Sequence, residues 1–162
     1  MTIAATKKLT RKFGTSIVVD SLDIIINKGD TFALLGPNGA GKTTVIKMLT
    51  TLLPVTSGEA FINGFNVTTQ PNKVREIIGY VPQMISVDGA LTAMENLLLF
   101  ARLYDIPAKE CKPRALEALA FMGLVDTAKK IVREFSGGMI RRLEIAQSMM
   151  HHPPVLFLDE PN

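Results

Sequence analysis

Residues 36–43 read Gly36-Pro37-Asn38-Gly39-Ala40-Gly41-Lys42-Thr43 and match the pattern G-x-x-x-x-G-K-[ST] at every fixed position. An apolar segment, Thr31–Leu35, precedes this stretch. Apolar residues follow it at helical spacing: Val45, Met48, Leu49 and Leu52. Glycines here let consecutive backbone N–H groups turn towards one anion, and the start of a helix adds positive potential. The sequence therefore predicts a strand, a phosphate-binding loop and a helix, in that order.

This loop is a P-loop, and its residue types predict binding of a nucleoside triphosphate. Lys42 would bring its charge to the β- and γ-phosphates, the Thr43 hydroxyl would ligate Mg²⁺, and Thr44 is placed for another phosphate contact. The remaining expected phosphate-binding positions are Gly36, Asn38, Gly39, Ala40 and Gly41. A chance glycine-rich turn between strand and helix is the alternative, and the complete match disfavours it.

An acidic pair near the end of the chain is the expected second half of this site. Val155–Leu158 is an apolar run, typical of a strand buried on both faces, and it ends in Asp159 and Glu160. Asp159 is expected to hold the metal directly or through water, and Glu160 to polarise an attacking water. Many strands end in solvated acids, so this interpretation depends on the P-loop in the same chain.

Composition excludes several classes of protein. The chain has 162 residues, of which 47% are hydrophobic and 20% charged, as expected for one globular domain rather than a disordered chain. No apolar run exceeds five residues, and the start lacks an apolar stretch of signal-peptide length, so we expect a cytosolic protein. A net charge of +3 is too small to indicate a protein that binds nucleic acid.

The cysteine and histidine content gives no metal or disulfide site. A single cysteine, Cys111, excludes an internal disulfide. For His151 and His152, a surface role is favoured over a metal site.

Hydrophobic patterning divides the chain into three blocks. The first, to about Tyr80, is rich in strands and turns, with a strand at Leu22–Ile26 and a turn at Asn63-Gly64. The second, Thr92 to Met150, is helical, and the third is the short run that ends in two acids. Strands first, helices in the middle and a buried strand last predict an α/β fold with a helical insertion.

The helical block carries start and stop signals. Thr92 and Glu95 have capping-box spacing, Gly123 is a stop, and Ser136 is a plausible N-cap. We expect three apolar helix faces, and for the Met-rich ones a core role is favoured over a ligand surface. These faces comprise Leu97, Phe100, Ala101 and Tyr104; Leu116, Leu119, Ala120 and Met122; and Met139, Leu143, Ala146 and Met150.

Phe135-Ser136-Gly137-Gly138-Met139 resembles the signature motif of ATP-binding-cassette (ABC) proteins. The order of motifs is similar too: the P-loop, then Tyr80–Gln83, then the signature, then Leu158–Pro161, with Asp159 lying 23 residues after Ser136. Phe135 and Met139 replace the family's more frequent Leu and Gln. The SGGM sequence with the following Arg141–Leu143 looks like the branch that exports drugs and antibiotics.

The resemblance implies an ABC-type P-loop ATPase fold, with an N-terminal antiparallel β region, a mostly parallel core sheet and a helical signature subdomain. It implies one incomplete nucleotide-binding domain, with residues 1–85 as the β-rich part, 86–150 as the helical part and 151–162 as the Walker B strand.

The resemblance also implies roles for residues outside the P-loop. Gln83 would contact Mg²⁺ or the attacking water and couple the site to a membrane subunit. Phe13 would stack on adenine. Ser136, Gly137 and Gly138 would bind the γ-phosphate held by the opposite subunit. From the residues alone, Gln83 would be a solvated loop residue and Phe13 an ordinary core residue.

The function implied is that of an ATP-binding, ATP-hydrolysing subunit that powers export of a small molecule or drug through a separate membrane subunit. It would act as a homodimer or paired cassette at the cytoplasmic face of the membrane. The alternatives are a soluble ABC protein acting on ribosomes or DNA, or a non-catalytic nucleotide-binding module.

The family's D-loop, next strand and switch histidine have no counterpart before Asn162. The 162-residue chain is therefore expected to hydrolyse ATP weakly or not at all, with a gap in the sheet between the strands that end at Leu35 and Leu158.

Overall fold

The computed structural model describes residues 1–159. The chain folds into two compact units, with the boundary between Ile78 and Gly79. Both helices and sheets are present, in agreement with the predicted α/β class.

The first unit is built on an antiparallel sheet of four strands. Its strands are β1 (Thr2–Phe13), β2 (Ser16–Asn27), β3 (Ser57–Ile62) and β4 (Phe65–Asn66), in the spatial order β2-β1-β3-β4. The predicted turn at Asn63-Gly64 is confirmed, because Ile62 pairs with Phe65 across it. The predicted N-terminal antiparallel region is therefore present.

Two helices complete this unit, α1 (Lys42–Leu49) and α2 (Pro71–Glu76). Helix α1 packs against β2 and β3, and Val45, Met48 and Leu49 are buried as their spacing predicts. Leu52 lies beyond the end of α1 and is 58% exposed, so its assignment to this face was wrong.

The strand predicted at Thr31–Leu35 does not form. Residues 30–37 have no regular secondary structure, and Leu35 is 91% exposed. A strand is stabilised by ladder hydrogen bonds to a neighbour, and within residues 1–159 no ladder includes this segment. Its apolar composition alone was therefore a misleading signal.

The second unit combines a pair of short strands with three longer helices. Strand β5 (Ile78–Val81), which begins at the boundary, pairs with β6 (Val155–Leu158). Three helices lie between these strands in the sequence: α3 (Ala93–Leu103), α4 (Ala108–Phe121) and α5 (Gly137–Met149). Leu156 is 38% exposed and the other β6 residues are half-buried, so β6 is not buried on both faces as predicted. In the part of the chain described, the expected core sheet is represented by β5 and β6.

The helices of this unit bury one apolar cluster, which includes Leu97, Leu119 and Leu143. The capping box is confirmed: the Glu95 N–H donates to Thr92 Oγ1 over 3.2 Å, and the Thr92 N–H donates to Glu95 Oε2 over 2.8 Å. On α4 the predicted face was partly wrong, because Leu116 and Ala120 are exposed. The buried face of α4 comprises Cys111, Ala115 and Leu119.

Candidate functional site

The P-loop is a solvent-exposed turn that leads directly into α1. The Ala40 N–H donates to the Pro37 carbonyl oxygen over 3.2 Å, and the Val45 N–H donates to the Gly41 carbonyl oxygen over 2.9 Å as the helix begins. Gly39 and Gly41 have φ angles of +83° and +86°, in the left-handed region that favours glycine. The glycines therefore permit the sharp turn on which the expected phosphate contacts depend.

Gly41 is the N-cap of α1 and has no side chain to cap the first turn. The first N–H groups of a helix have no intrahelical partner, and the helix dipole adds positive potential at this end. Thr43 and Thr44, the second and third residues of α1, are both half-buried. The start of α1 therefore has the backbone geometry of an anion site.

Lys42 adds a formal positive charge to the same loop. Its Nζ donates to the carbonyl oxygens of Gly36 over 2.7 Å and Pro37 over 2.9 Å, so the ammonium lies against the loop backbone. Both acceptors are neutral carbonyls, and a phosphate oxygen is a stronger, charge-assisted acceptor. The charge, the glycine turn and the helix terminus together fit a polyphosphate.

Phe13 lies at the end of β1 and is 46% exposed, which excludes the alternative of an ordinary core residue. The Arg11 guanidinium carbon lies 4.5 Å from the centroid of its ring, a cation–π contact. An exposed ring of this kind is available to stack on a planar ligand.

In the second unit, Asp159 follows β6 and is only 2% exposed. Its N–H donates to the Val81 carbonyl oxygen over 3.0 Å, and its carbonyl oxygen accepts from Arg141 Nη2 over 3.1 Å. The carboxylate interacts with the Tyr80 phenol. Burial, and then the charge and hydrogen bond of Asp159, raise the pKa of Tyr80, while Arg141 opposes the shift. The backbone of Asp159 is thus fixed by hydrogen bonds to Val81 and Arg141.

Gln83 lies two residues beyond the end of β5 and is exposed. The hydrogen bond between Val81 and Asp159 brings Gln83 and Asp159 to the same end of the β5–β6 pair. The Pro82 carbonyl oxygen accepts from Arg141 Nη1 over 2.7 Å, so the segment carrying Gln83 is anchored to α5. Two of the residues expected near the metal are therefore close together in this unit.

The signature motif forms the start of α5. Ser136 is the N-cap, and its Oγ accepts from the Met139 N–H over 3.3 Å. Gly137 and Gly138 are exposed, and a Cβ at either position would meet nothing within 4 Å. Phe135 is buried in the apolar cluster instead. The exposed helix terminus is open to close approach by a ligand.

The expected site residues therefore fall into two groups, one in each unit: the P-loop with Phe13, and Gln83 with Asp159 and Ser136. Glu160 lies outside the described residues. Sequence reasoning assigned no role to Tyr80, Arg141 or Glu144. The spacing of Arg141 and Glu144 by three residues in a helical pattern was the available signal for an ion pair.

Comparisons with known proteins agree with these motifs. A family profile described as "ABC transporter" matches residues 19–162. The linearmycin resistance ATP-binding protein LnrL of Bacillus subtilis (strain 168) is 39% identical over 155 residues, which are 96% of this chain and 50% of LnrL. The daunorubicin/doxorubicin resistance ATP-binding protein DrrA of Streptomyces peucetius is 42% identical over 156 residues, 96% of this chain and 47% of DrrA. The chain thus spans about half the length of the curated relatives it matches.

Solved structures confirm the fold. The ATP-binding subunit of an ABC transporter superposes with a TM-score of 0.85 at 28% identity, covering 98% of this chain and 66% of the subunit. A nucleotide-free ATP-binding cassette from an ABC transporter gives a TM-score of 0.84 at 28% identity, covering 100% of this chain and 70% of the cassette. Among residues 1–159, no helix has the length and apolar character needed to cross a membrane.

The P-loop before α1, the serine-glycine-glycine start of α5 and the profile match over residues 19–162 lead to one conclusion: the chain belongs to the ABC transporter family.

Proposed function

We propose that this chain is the ATP-binding and ATP-hydrolysing part of a transporter that exports a small molecule or drug through a separate membrane-spanning subunit. The observation that carries the proposal is the P-loop, where Lys42 and the start of α1 meet at one turn. The names of LnrL and DrrA, which refer to resistance to linearmycin and to daunorubicin and doxorubicin, support the export direction.

In this proposal, the P-loop residues bind the triphosphate of ATP and Phe13 stacks on its adenine. Lys42 pairs with the β- and γ-phosphates, and the backbone N–H groups of the loop bind the phosphate oxygens. Bound Mg²⁺ would neutralise phosphate charge, with Thr43, Gln83 and Asp159 as its proposed protein ligands, directly or through water. Glu160 would polarise the attacking water, as the resemblance implies.

We propose two partners for this chain: a second cassette and a membrane permease. Ser136, Gly137 and Gly138 would bind the γ-phosphate held by a second cassette, as the resemblance implies, and their exposed helix terminus without a bulky side chain is compatible with this role. The functional complex is then a homodimer or a paired cassette. We place it at the cytoplasmic face of the membrane, bound to its permease, and expect no nucleic-acid partner.

Titration calorimetry with ATP and Mg²⁺ tests the proposal through Lys42→Ala. Charge-assisted contacts contribute about 1.5–3 kcal/mol, so binding should weaken about tenfold to a hundredfold. Lys47→Ala is the matched control, because Lys47 is an exposed lysine in the last turn of the same helix. Equal ATP affinity in wild type and Lys42→Ala would contradict the proposal.

A further inference from the structure

Helix α5 carries an ion pair with little solvent exposure that none of the expected site roles uses. Arg141 Nη1 lies 3.2 Å from Glu144 Oε2, and the two side chains are 14% and 3% exposed. Removing two charges from water is unfavourable unless further hydrogen bonds satisfy them. The further hydrogen bonds that Arg141 and Glu144 make therefore indicate the role of this ion pair.

Glu144 reaches a loop distant in sequence. Its Oε1 accepts from the Ser86 N–H over 2.6 Å and from Ser86 Oγ over 3.0 Å, across 58 residues of chain. Ser86 lies three residues after Gln83, in a stretch without regular secondary structure. The carboxylate thus fixes the far end of the segment that carries Gln83.

Arg141 fixes the near end of that segment and the end of β6. Its guanidinium donates through Nη1 to the Pro82 carbonyl oxygen over 2.7 Å and through Nη2 to the Asp159 carbonyl oxygen over 3.1 Å. The planar guanidinium group of Arg141 therefore links the backbone of Asp159 to that of Pro82, the residue before Gln83. Lysine, a single point donor, cannot hold both carbonyls in this way.

We propose that Arg141 and Glu144 are positioning residues that hold residues 82–86 and the backbone of Asp159 in one arrangement on α5. In this proposal they act through Gln83 and Asp159 and do not bind nucleotide or metal themselves. The signature residue Ser136 is the N-cap of α5, so the pair connects the signature helix to the segment that carries Gln83 and to Asp159. The expected effect of this pair on Mg²⁺ binding rests on the proposed function. Its expected effect on residues 82–86 does not.

Hydrogen exchange in the 162-residue chain tests the positioning directly. In Glu144→Ala and Arg141→Met, amide exchange across residues 83–87 should accelerate at least tenfold, because Ser86 loses its acceptor or the loop loses its anchor. Arg114 and Glu110 on α4 are the matched control, since they pair over 2.6 Å and Arg114 also donates to a backbone carbonyl, that of Met150, over 3.3 Å. Arg114→Met should leave exchange in residues 83–87 unchanged.

Conservative and exchanged variants separate positioning from simple charge pairing. Arg141→Lys and Glu144→Gln keep much of the shape and should give intermediate exchange rates, even where the larger changes fail to fold. The double variant Arg141→Glu with Glu144→Arg restores an ion pair but faces two carbonyl oxygens with a carboxylate. It should not restore slow exchange. Recovery in the double variant, or unchanged exchange in Glu144→Ala, would overturn the proposal.

ATP affinity with Mg²⁺ and with chelator provides the second readout. Arg141→Met should reduce the enhancement of ATP affinity by Mg²⁺ several-fold and leave the affinity in chelator unchanged, because the P-loop is untouched. An equal loss in both conditions would show a general structural effect and contradict positioning. If the wild-type chain binds no ATP, the proposed function fails, while the exchange data still decide whether the pair holds the loop.

Discussion

The Tyr80 phenol on β5 interacts with the carboxylate of Asp159, the residue that follows β6 in the same pair of strands. Burial raises the pKa of Tyr80, and the Asp159 charge and hydrogen bond raise it further, against an opposing effect of Arg141. Tyr80 therefore remains a protonated donor throughout the physiological pH range. A neutral phenol therefore lies beside the carboxylate that we propose binds Mg²⁺.

The first prediction is a shifted ionisation of Tyr80. The chain has two tyrosines and no tryptophan, so Tyr104→Phe leaves Tyr80 as the sole tyrosine. Its tyrosinate absorbance should appear with a midpoint above the ordinary pKa of 10.0. Asp159→Asn should lower that midpoint, because the negative charge that disfavours tyrosinate is removed. An unchanged midpoint after Asp159→Asn in the Tyr104→Phe background would contradict the contact with Asp159.

The second prediction concerns how the free energy of unfolding changes with pH. A folded pKa raised above the unfolded value means that the stabilisation is complete below pH 10.0 and is lost as the pH rises through the folded pKa. Tyr80→Phe should therefore flatten the decline of unfolding free energy at alkaline pH. Burial also raises the pKa of Tyr104, so Tyr104→Phe should remove a contribution of the same sign. Chemical denaturation at a series of alkaline pH values measures both effects.

Local features of the fold could be predicted because neighbouring residues determine them. Thr92 and Glu95 satisfy each other's backbone within one helical turn, and Asn63-Gly64 forms its hairpin turn within two residues. The Ser136 cap is equally local. The P-loop falls in the same class, since its glycines and Lys42 are adjacent in sequence.

Other features depend on distant partners. Whether Thr31–Leu35 becomes a strand depends on a neighbouring strand, which apolar composition does not specify. Leu116 and Leu119 are both apolar residues of α4, and only packing against other helices decides that Leu119 is buried. The links from Glu144 to Ser86 and from Arg141 to Pro82 span nearly sixty residues, so no local pattern could predict them.

Burial predicts unequal effects of two leucine substitutions on α4. Leu119 is 0% exposed and lies in the apolar cluster, so Leu119→Ala should reduce stability by about 2–5 kcal/mol. Leu116 is 41% exposed, and Leu116→Ala should change stability by at most about 0.5 kcal/mol. Urea unfolding followed by far-ultraviolet circular dichroism compares them. Equal losses would show that the assigned face of α4 is wrong.

If Glu160 polarises the attacking water, Glu160→Gln should separate hydrolysis from binding. General-base catalysis contributes factors of about 10²–10⁴, so turnover should fall by at least about a hundredfold while ATP affinity changes little. The measurement requires a form of the protein as long as its curated relatives, with ultracentrifugation to detect an ATP-trapped dimer. A Glu160→Gln protein that stays monomeric at saturating ATP would contradict the paired-cassette proposal.

The two left-handed glycines of the P-loop should respond differently to alanine. At Gly41, a Cβ would lie 2.8 Å from the Val18 carbonyl oxygen, so the backbone must shift as well as adopt an unfavourable φ of +86°. At Gly39, φ is +83° but a Cβ would meet nothing within 4 Å. Gly39→Ala should therefore reduce stability only by the conformational cost of about 1–2 kcal/mol. Gly41→Ala should reduce it further and displace the start of α1.

Gly64→Ala is the control for this comparison, because Gly64 has φ +82° and equally open surroundings in the β3–β4 turn. It should match Gly39→Ala in thermal unfolding and leave ATP affinity at the wild-type value. Gly41→Ala should weaken ATP binding at least tenfold, since the loop and the helix terminus that bind phosphate both move. ATP affinity in Gly41→Ala equal to that in Gly64→Ala would mean that the turn at Gly41 is not required for binding, and the phosphate site would have to lie elsewhere.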